Sequence, residues 1–411
     1  MSHIKAERKI NMRKLTVLFF ALLFVLASCQ KAEPTLTAEV KETTVGVVAT
    51  IPTTDGVEQP IAEPTLYKVS FVAAGDNMIY YGNVRDAMRN ASNGETYDFK
   101  PSYTTIKPVI EQYDLAFINQ ETLMTGGIPS YYPRFNSPQE VGDAVVDAGF
   151  DIVGLANNHM LDMGEDGLVK TLEYWEGQPV ILTGSYRNQE EFENITVFEK
   201  NGISIALLSF TYGTNGLSLP RGSEVFIPYI EDELVARKVK EAEDLADVTI
   251  VSIHWGDENT FNVNSQQKRV AKIICENGGD VIIGHHPHII QSIEWIEVGD
   301  NRTICAYSLG NFMSEMAEGY NILGGLFSFD IEKLGEKGNV EITNVLFTPT
   351  VFDYNISFYN NHIFFLEDYT DEQARNHGIR YYNNSTTLAT LYKYVTDHID
   401  AEFLPEFMKA E

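Results

Sequence analysis

Basic side chains are scarce in this 411-residue chain, which has 30 Lys and Arg against 58 Asp and Glu and a formal net charge of -28. Five of the basic residues lie within residues 1–28, so the rest of the chain carries a net charge of about -32. An acidic surface of this kind repels nucleic acid and anionic lipid headgroups. The composition therefore argues against a protein that binds nucleic acid or attaches to membranes through its surface charge.

Long apolar runs are also lacking. The segment Leu15–Leu26 is too short to span a bilayer, but it follows two basic residues and fits the apolar region of a signal peptide. The next residues, Ala27-Ser28-Cys29, resemble the end of a bacterial lipobox, in which the cysteine becomes the lipidated first residue. We therefore predict a signal peptide over residues 1–28 and an extracytoplasmic protein that is lipid-anchored to the cell membrane through Cys29. An ordinary signal peptide followed by a chance cysteine is the alternative.

Cysteine is scarce as well, with three residues in the chain. Besides Cys29, Cys275 and Cys305 lie in apolar segments, and buried free thiols are the usual state of cysteine in such positions. Outside the cytoplasm the two could also form a disulfide, and the sequence leaves this open. Neither has the surroundings of a catalytic cysteine.

The remaining chain divides into three parts. Residues 29–65 are rich in Thr, Glu, Val and Pro without a sustained period, which is typical of a flexible tether. Residues 66–334 alternate apolar strand patterns with helical ones, such as the helix predicted over 265–276, and this alternation predicts an α/β fold. Residues 335–411 are rich in Tyr, Phe and Asn and contain a predicted helix over 386–399. We interpret them as an extension packed on the main domain.

Six predicted strands end in polar residues, most of them of the types that bind divalent metals. Their C-terminal segments read Gly75-Asp76-Asn77-Met78, Asn119-Gln120-Glu121, Ala156-Asn157-Asn158-His159, His254-Trp255-Gly256, Gly284-His285-His286-Pro287-His288 and Ser308-Leu309-Gly310-Asn311-Phe312. Ligands of α/β sheets bind outside the carboxyl ends of the strands. We therefore expect these segments to meet at one edge of the fold.

The strand ends supply enough ligands for one or two divalent ions, with Mn, Mg, Zn and Fe as the candidates. The predicted ligands are Asp76, Glu121, Asn158, His254, His286 and His288. His286 and His288 are two positions apart, so an extended loop would direct both imidazoles to the same side. A pair of ions could hold both the attacking and the leaving oxygen of a displacement reaction.

Other residues of the same segments are predicted to act beside the metal. His159 is a candidate general acid that protonates a leaving oxygen. Asn157, Asp162 and Asn311 are predicted to support the ligands. Two alternatives remain open, because the Asn-His pair could be a helix cap beside a structural histidine and His254 could be a satisfied core histidine.

The ordered motifs resemble the CapA family of capsule and poly-γ-glutamate biosynthesis proteins. They are Gly-Asp-x-Met, Asn-x-Glu, Ala-Asn-Asn-His-x-x-Asp-x-Gly, His-Trp-Gly, Gly-His-His-Pro-His-x-x-Gln and Tyr-Ser-Leu-Gly-Asn-Phe, between about Lys68 and Met313. The family in turn resembles the calcineurin-like metallophosphoesterases, which implies a four-layer α/β/β/α sandwich with metals at the strand ends. Met78 stands where that superfamily has a histidine ligand, and Met160 where it has an acidic residue. The resemblance implies that Glu121 bridges the metal positions in place of an aspartate.

The resemblance implies a membrane-anchored protein that acts in the synthesis, export or anchoring of an anionic capsule polymer. Its metal site would then carry out hydrolase-like chemistry on a phosphate ester or a γ-amide. The expected partners are the anionic polymer or a phosphorylated substrate, the membrane, and other membrane subunits of a polymer synthase. Two alternatives are a general secreted metallophosphoesterase or nucleotidase, and a non-catalytic scaffold subunit of a polymer export complex.

Overall fold

The computed structural model describes residues 64–92, 94–336 and 338–409. The predicted signal peptide, the lipidation site Cys29 and nearly all of the predicted tether lie outside these residues. Among the helices of the described part, none combines the length and the apolar character needed to cross a membrane.

Strands and helices alternate through most of the described chain. The strands are β1 (Leu66–Asn77), β2 (Leu115–Gln120), β3 (Ile152–Gly154), β4 (Ile181–Thr183), β5 (Thr196–Lys200), β6 (Ile203–Thr211), β7 (Val248–His254), β8 (Val281–His285), β9 (Ile293–Val298), β10 (Asn301–Ala306), β11 (Asn311–Met313), β12 (Leu323–Leu334), β13 (Val340–Asp353) and β14 (His362–Phe365). The α-helices are α1 (Tyr81–Asn90), α2 (Lys107–Ile110), α3 (Glu140–Asp147), α4 (Gly164–Glu176), α5 (Gln189–Glu193), α6 (Asp232–Glu243), α7 (Ser265–Glu276), α8 (Asp371–Asn376) and α9 (Leu388–His398). Short 3-10 helices cover Lys100–Tyr103, Gly378–Tyr382, Ala401–Phe403 and Glu406–Met408.

The strands form two sheets. The first has the order β14-β13-β12-β1-β2-β3-β4, with β11 paired to the end of β1, and the second has the order β5-β6-β7-β8-β10-β9. The central strands β1 to β4 of the first sheet and β6, β7, β8 and β10 of the second run parallel. Their carboxyl ends therefore lie at one edge, where an α/β sheet places its ligands.

Alternation along the strands separates the inner faces of the two sheets from the outer ones. Phe117 of β2 and Ile283 of β8 lie in the core between the sheets. Ile282, the neighbour of Ile283, instead packs with Ile274 of α7 in a second core outside the second sheet. Trp175 of α4 is buried against the first sheet. Helices thus cover both outer faces, and the predicted four-layer α/β/β/α sandwich is confirmed.

The region after residue 334 continues the first sheet. Strand β13 pairs antiparallel with β12 from Leu323–Val351 to Lys333–Val340, and β14 pairs with β13. Residues 340–365 are therefore part of the sandwich. Beyond them lies α9, which confirms the helix predicted over 386–399 to within two residues at each end. The helix predicted over 265–276 has the predicted bounds, because a capping box at Asn264 begins it and Gly278 follows its end.

Candidate metal centre

The structure brings the six predicted ligands together at the carboxyl edge of the two sheets. Asp76 and Glu121 come from the ends of β1 and β2, and Asn158 follows β3. His254 ends β7, and the segment after β8 supplies the two remaining histidines. All six side chains are buried.

Two glycines allow the strands to approach closely enough to form this edge. A Cβ atom at Gly75 would lie 2.0 Å from the carbonyl oxygen of Gly310, and Gly310 itself has φ +70°. The amide of Asp76 donates to the same carbonyl at 2.9 Å. Because only glycine fits this contact, the Gly-Asp and Gly-Asn motifs place Asp76 beside Asn311.

Carboxylates and imidazoles alternate in the centre. An oxygen of Asp76 lies 3.3 Å from Nδ1 of His288. An oxygen of Glu121 lies 3.5 Å from Nε2 of His254 and 3.6 Å from Nε2 of His288. The ring of His286 is centred 4.8 Å from that of His254 and 5.9 Å from that of His288.

Two groups of these side chains have the spacing of a metal site. One potential ligand atom from each of Glu121, His286 and His288 lies within 4.8 Å of the others, and the same holds for Asp76, Glu121 and His254. Both oxygens of Glu121 and Nδ1 of His254 and of His286 are buried without a hydrogen-bond partner among the described residues. Buried polar atoms normally have partners. The donor set and its unpartnered atoms therefore fit a divalent ion, and Glu121 is shared by both groups.

The two carboxylates differ in protonation. Burial raises the pKa of Asp76, but the imidazoles of His285 and His288, 3.2 and 3.3 Å from its oxygens, outweigh burial and hold that pKa well below its usual value. Burial raises the pKa of Glu121 well above its usual value, despite the opposing charge of His288. Asp76 is thus the permanent anion of the centre, whereas Glu121 carries a proton more readily.

The histidines differ in the same way. Burial lowers the pKa of His254 well below its usual value, with His286 adding to the effect. Burial and the neighbouring His288 lower the pKa of His286 to about 3. Burial lowers the pKa of His288, but the carboxylates of Glu121 and Asp76 have the larger, opposite effect and raise that pKa to about 10. The neutral imidazoles of His254 and His286 are in the protonation state that binds metals.

Asn158 and Asn311 make contacts that orient the imidazoles. Oδ1 of Asn158 lies 3.0 Å from Nε2 of His254, and its amide nitrogen donates to Asn215. Oδ1 of Asn311 lies 3.0 Å from Nδ1 of His288, and its amide donates to the carbonyl of the same histidine. With Nδ1 of His288 engaged, Nε2 is the nitrogen that faces Glu121.

His159 lies beside the centre and is paired with Asp162. Its Nδ1 lies 2.7 Å from Oδ2 of Asp162, which also accepts the backbone amide of Phe135. This contact leaves Nε2 as the nitrogen of His159 that is free for proton transfer. Asn157 braces the loop, because its side chain accepts from the amide of His159 and donates to the carbonyls of Gln120 and Leu155.

The expected extended loop at the two neighbouring histidines is wrong. His286 has φ +98° and His288 has φ +56°, so the segment is a tight turn in the left-handed region. The turn is held because the amide of His286 donates to Asp76 and the carbonyl of Pro287 accepts the amide of Asn259. Both imidazoles reach the centre through this turn and not through strand alternation.

Residues 70–316 match the family described as bacterial capsule synthesis protein PGA_cap. This match covers more than half of the chain. The chain belongs to the PGA_cap family.

Individual PGA_cap relatives agree with this assignment. The chain is 31% identical over 184 residues to "Capsule biosynthesis protein CapA" of Bacillus anthracis, covering 44% of each chain. It is 32% identical over 210 residues to "PGA biosynthesis protein CapA" of Bacillus subtilis, covering 48% of this chain and 51% of the relative. The chain thus spans about half the length of the curated relatives it matches. The predicted resemblance to the CapA family is confirmed.

Solved structures similar to this PGA_cap chain include phosphoesterases. A 5'-nucleotidase precursor from Thermus thermophilus aligns with TM-score 0.44 and 9% identity over 69% of this chain and 54% of the other. A calcineurin-like phosphoesterase from Bacillus subtilis aligns with TM-score 0.38 and 14% identity over 81% of this chain and 97% of the other. The fold assignment above rests on the two sheets and their covering helices.

Met78 of the PGA_cap motif lies in the wall of a pocket of about 300 Å³ in front of the metal centre. The pocket is also lined by Asn158, His159 and His288. A thioether is a soft ligand, in contrast to the hard oxygen and borderline imidazole donors around it. Met78 therefore lies at the candidate site itself.

Sequence reasoning missed three neighbours of the centre. Nδ1 of His285 lies 3.2 Å from an oxygen of Asp76. The ring of Tyr212 is centred 4.4 Å from that of His286, and the amide of Asn215 contacts both Asn158 and His159. Tyr212 and Asn215 follow β6, the one central strand of the second sheet whose carboxyl end was given no candidate. Applying the strand-end rule to β6 would have found them.

Proposed function

We propose that this protein acts at the cell surface in the synthesis, export or anchoring of an anionic capsule polymer and uses a divalent metal to do so. Membership of a capsule synthesis family supports the polymer. The main support for a metal is Glu121. Both oxygens of this buried carboxylate are unpartnered among the described residues, and the residue belongs to both ligand groups. Such a carboxylate is stabilised when it bridges two cations or binds one.

The ligand residues would form two metal positions that have Glu121 in common. Glu121, His286 and His288 suit one position, and Asp76, Glu121 and His254 suit the other, with the oxygen of Asn158 beside them. A mixed oxygen and imidazole set suits Mn, Fe or Zn better than Mg. When bound, such an ion supplies Lewis acidity toward a phosphoryl or carbonyl oxygen.

The residues around the pocket would handle the proton. His159 lines the pocket, and Asp162 accepts from its Nδ1, so the imidazolium form of His159 would present an Nε2–H to a leaving oxygen. Asn215 contacts the same imidazole at 3.5 Å. The arrangement supports hydrolysis or transfer at a phosphate ester or a γ-amide.

A general secreted metallophosphoesterase is the second candidate, favoured by this pairing of a metal centre with an oriented histidine. Met78 counts against it, because one metal position then has a ligand fewer than the superfamily pattern. A non-catalytic scaffold of the polymer export complex is the third. Turnover of phosphomonoesters or phosphodiesters with Mn²⁺ would exclude the scaffold, and normal polymer in cells that carry an inactive variant would favour the second candidate over the first.

Polymer production by cells that carry His286→Ala tests the proposed function. We expect capsule polymer to fall by about tenfold or more while the amount of this protein is unchanged, because His286 is a ligand of the centre. His362→Ala is the matched control, since His362 is a half-buried histidine on β14. Wild-type polymer in the His286→Ala strain would refute the metal role.

We also propose that Cys29 anchors the protein to the cell membrane, where other subunits of a polymer synthase would meet it. Cys29→Ser is expected to move most of the protein from the membrane fraction to the medium or periplasm. The reason is that the lipid on Cys29 would supply the membrane attachment. Fractionation and immunoblotting measure this. Unchanged membrane association of the variant would exclude lipidation as the anchor.

A further inference from the structure

A second cleft, of about 540 Å³, adjoins the metal pocket. Tyr80 and Tyr132 line both spaces and form a shared wall. We call this second space the tyrosine cleft, and its other walls include Tyr81, Tyr381, Arg85 and Glu315. None of the six described ligands of the metal centre lines it.

The aromatic side chains of the tyrosine cleft are open to solvent yet held by neighbours. Tyr132, Tyr381 and Tyr81 are 76%, 62% and 55% exposed. Edge-to-face contacts fix two of them, with ring centroids 5.1 Å apart for Tyr81–Tyr131 and for Phe358–Tyr381. Exposed aromatic rings in fixed positions give a ligand large contact area at little entropic cost.

Arg85 supplies a fixed positive charge in this cleft. Its guanidinium lies over the rings of Tyr81 and Tyr359, 5.5 and 4.8 Å from their centroids, and donates to the Tyr359 hydroxyl. Arg89, one turn further along α1, lies over the same Tyr359 ring at 5.0 Å. A guanidinium has five N–H donors, so Arg85 keeps donors for a ligand.

Within the described part of the chain, Arg85 and Arg89 keep an uncompensated positive charge, although the protein is strongly acidic. Arg187 and Arg237 each form a salt bridge with a glutamate. Within residues 64–92, 94–336 and 338–409, Arg85, Arg89 and the metal-pocket residue Arg134 have no carboxylate partner within salt-bridge distance. Arg85 thus places a positive charge in the tyrosine cleft, and Arg134 places one in the wall of the metal pocket.

Glu315, the acidic residue in the wall of the cleft, does little to cancel this charge. It is buried, and one of its oxygens accepts the amide of Gly82 while the other has no partner among the described residues. Burial raises its pKa to about 8, so most of the carboxyl is protonated at neutral pH. A protonated carboxyl can donate a hydrogen bond to a ligand oxygen.

We infer that the tyrosine cleft binds a carboxylate-bearing segment of the anionic polymer whose reacting group enters the metal pocket. This inference rests on the proposed function. Arg85 and Arg89 would pair with carboxylates of the segment, since guanidinium groups bind carboxylates with paired hydrogen bonds. The exposed tyrosines would contact the methylene carbons between them. Charge complementarity favours this occupant over an uncharged chain.

Binding of a short γ-linked glutamate oligomer to the full-length protein tests the inference. Arg85→Gln combined with Tyr81→Ala is expected to weaken binding by about tenfold or more, with the metal content unchanged. Arg85→Lys should retain part of the affinity because it keeps the charge. Arg302→Gln is the matched control, since Arg302 also lies over an aromatic ring, 3.7 Å from Trp295, but outside the cleft.

Two results would overturn the inference. One is unchanged affinity in the folded Arg85→Gln/Tyr81→Ala protein, and the other is equal wild-type affinity for the same oligomer with its carboxylates amidated. Polymer production by the His286→Ala strain tests the proposed function independently of oligomer binding. If that strain makes normal polymer while oligomer binding still requires Arg85, the metal role fails and the cleft assignment stands.

Discussion

Glu121→Gln is expected to lower the affinity for divalent metal by roughly 100-fold or more, the largest effect of any single conservative change. Glu121 is common to both ligand groups, so its replacement weakens both metal positions. The amide keeps the size of the side chain but removes the negative charge and half of the oxygen donors. Metal content of the purified protein and titration with Mn²⁺ or Zn²⁺ measure the effect.

In the absence of metal, Glu121→Gln should be at least as stable toward unfolding as the wild-type protein. Burial raises the pKa of Glu121 above its value in the unfolded chain, so the charged form opposes folding as the pH rises past that unfolded value. A neutral glutamine does not have this penalty, and metal-free Glu121→Gln should unfold at the same or a higher temperature at pH 7.

A matched control exists on α6. Burial also raises the pKa of Glu243, and this residue lies outside the metal centre, so Glu243→Gln should keep the metal affinity. If Glu121→Gln binds metal as tightly as wild type, the centre does not hold an ion through this carboxylate. A lower metal-free unfolding temperature would mean that Glu121 has a structural partner.

His159→Asn is expected to lower turnover by about 10²- to 10⁴-fold while metal content stays at the wild-type level. The free Nε2 of His159 would donate the proton, and asparagine cannot take its place. Asp162→Asn should also lower turnover strongly, because the imidazole remains but loses the carboxylate that holds its tautomer. Turnover is measured as Mn²⁺-dependent hydrolysis of phosphate esters, with polymer yield in cells beside it.

The dependence on the leaving group distinguishes proton donation from a structural role. If His159 donates the proton, His159→Asn should lose much less activity on esters whose leaving group needs no protonation than on alkyl esters. His362→Gln serves as the control for loss of a histidine elsewhere. Activity and leaving-group dependence like those of wild type in His159→Asn would remove this residue from the mechanism.

The positions of the ligands could be predicted because each comes from the end of a strand with a clear apolar pattern. The run Val248–Ile253 has the length and the β-branched composition of a buried strand, and it delivers His254 to the sheet edge. The same rule places Asp76 and Glu121. Local sequence was sufficient to place these ligands, because a residue at the C-terminal end of a parallel strand lies at the carboxyl edge of the sheet.

Features that depend on tertiary contacts could not be predicted. The turn at His286 and His288 requires φ values that are rare for histidine, and contacts from Asp76 and Asn259 compensate for them. The role of Val340–Asp353 as a sheet strand depends on pairing with β12, and its mixed burial pattern gives a weak strand signal. The pKa values of the centre depend on the distances between residues far apart in sequence.

The metal centre is built from residues that lie far apart in sequence. Asp76 and His286 are 210 positions apart in sequence yet share a hydrogen bond. The first carboxylate therefore gains its imidazole neighbours only through non-local contacts, which form slowly. Under the extracytoplasmic location proposed above, the protein would bind its metal only on the outer side of the membrane. The ions available in that compartment, more than the intrinsic preference of the ligands, would then decide which metal the protein carries.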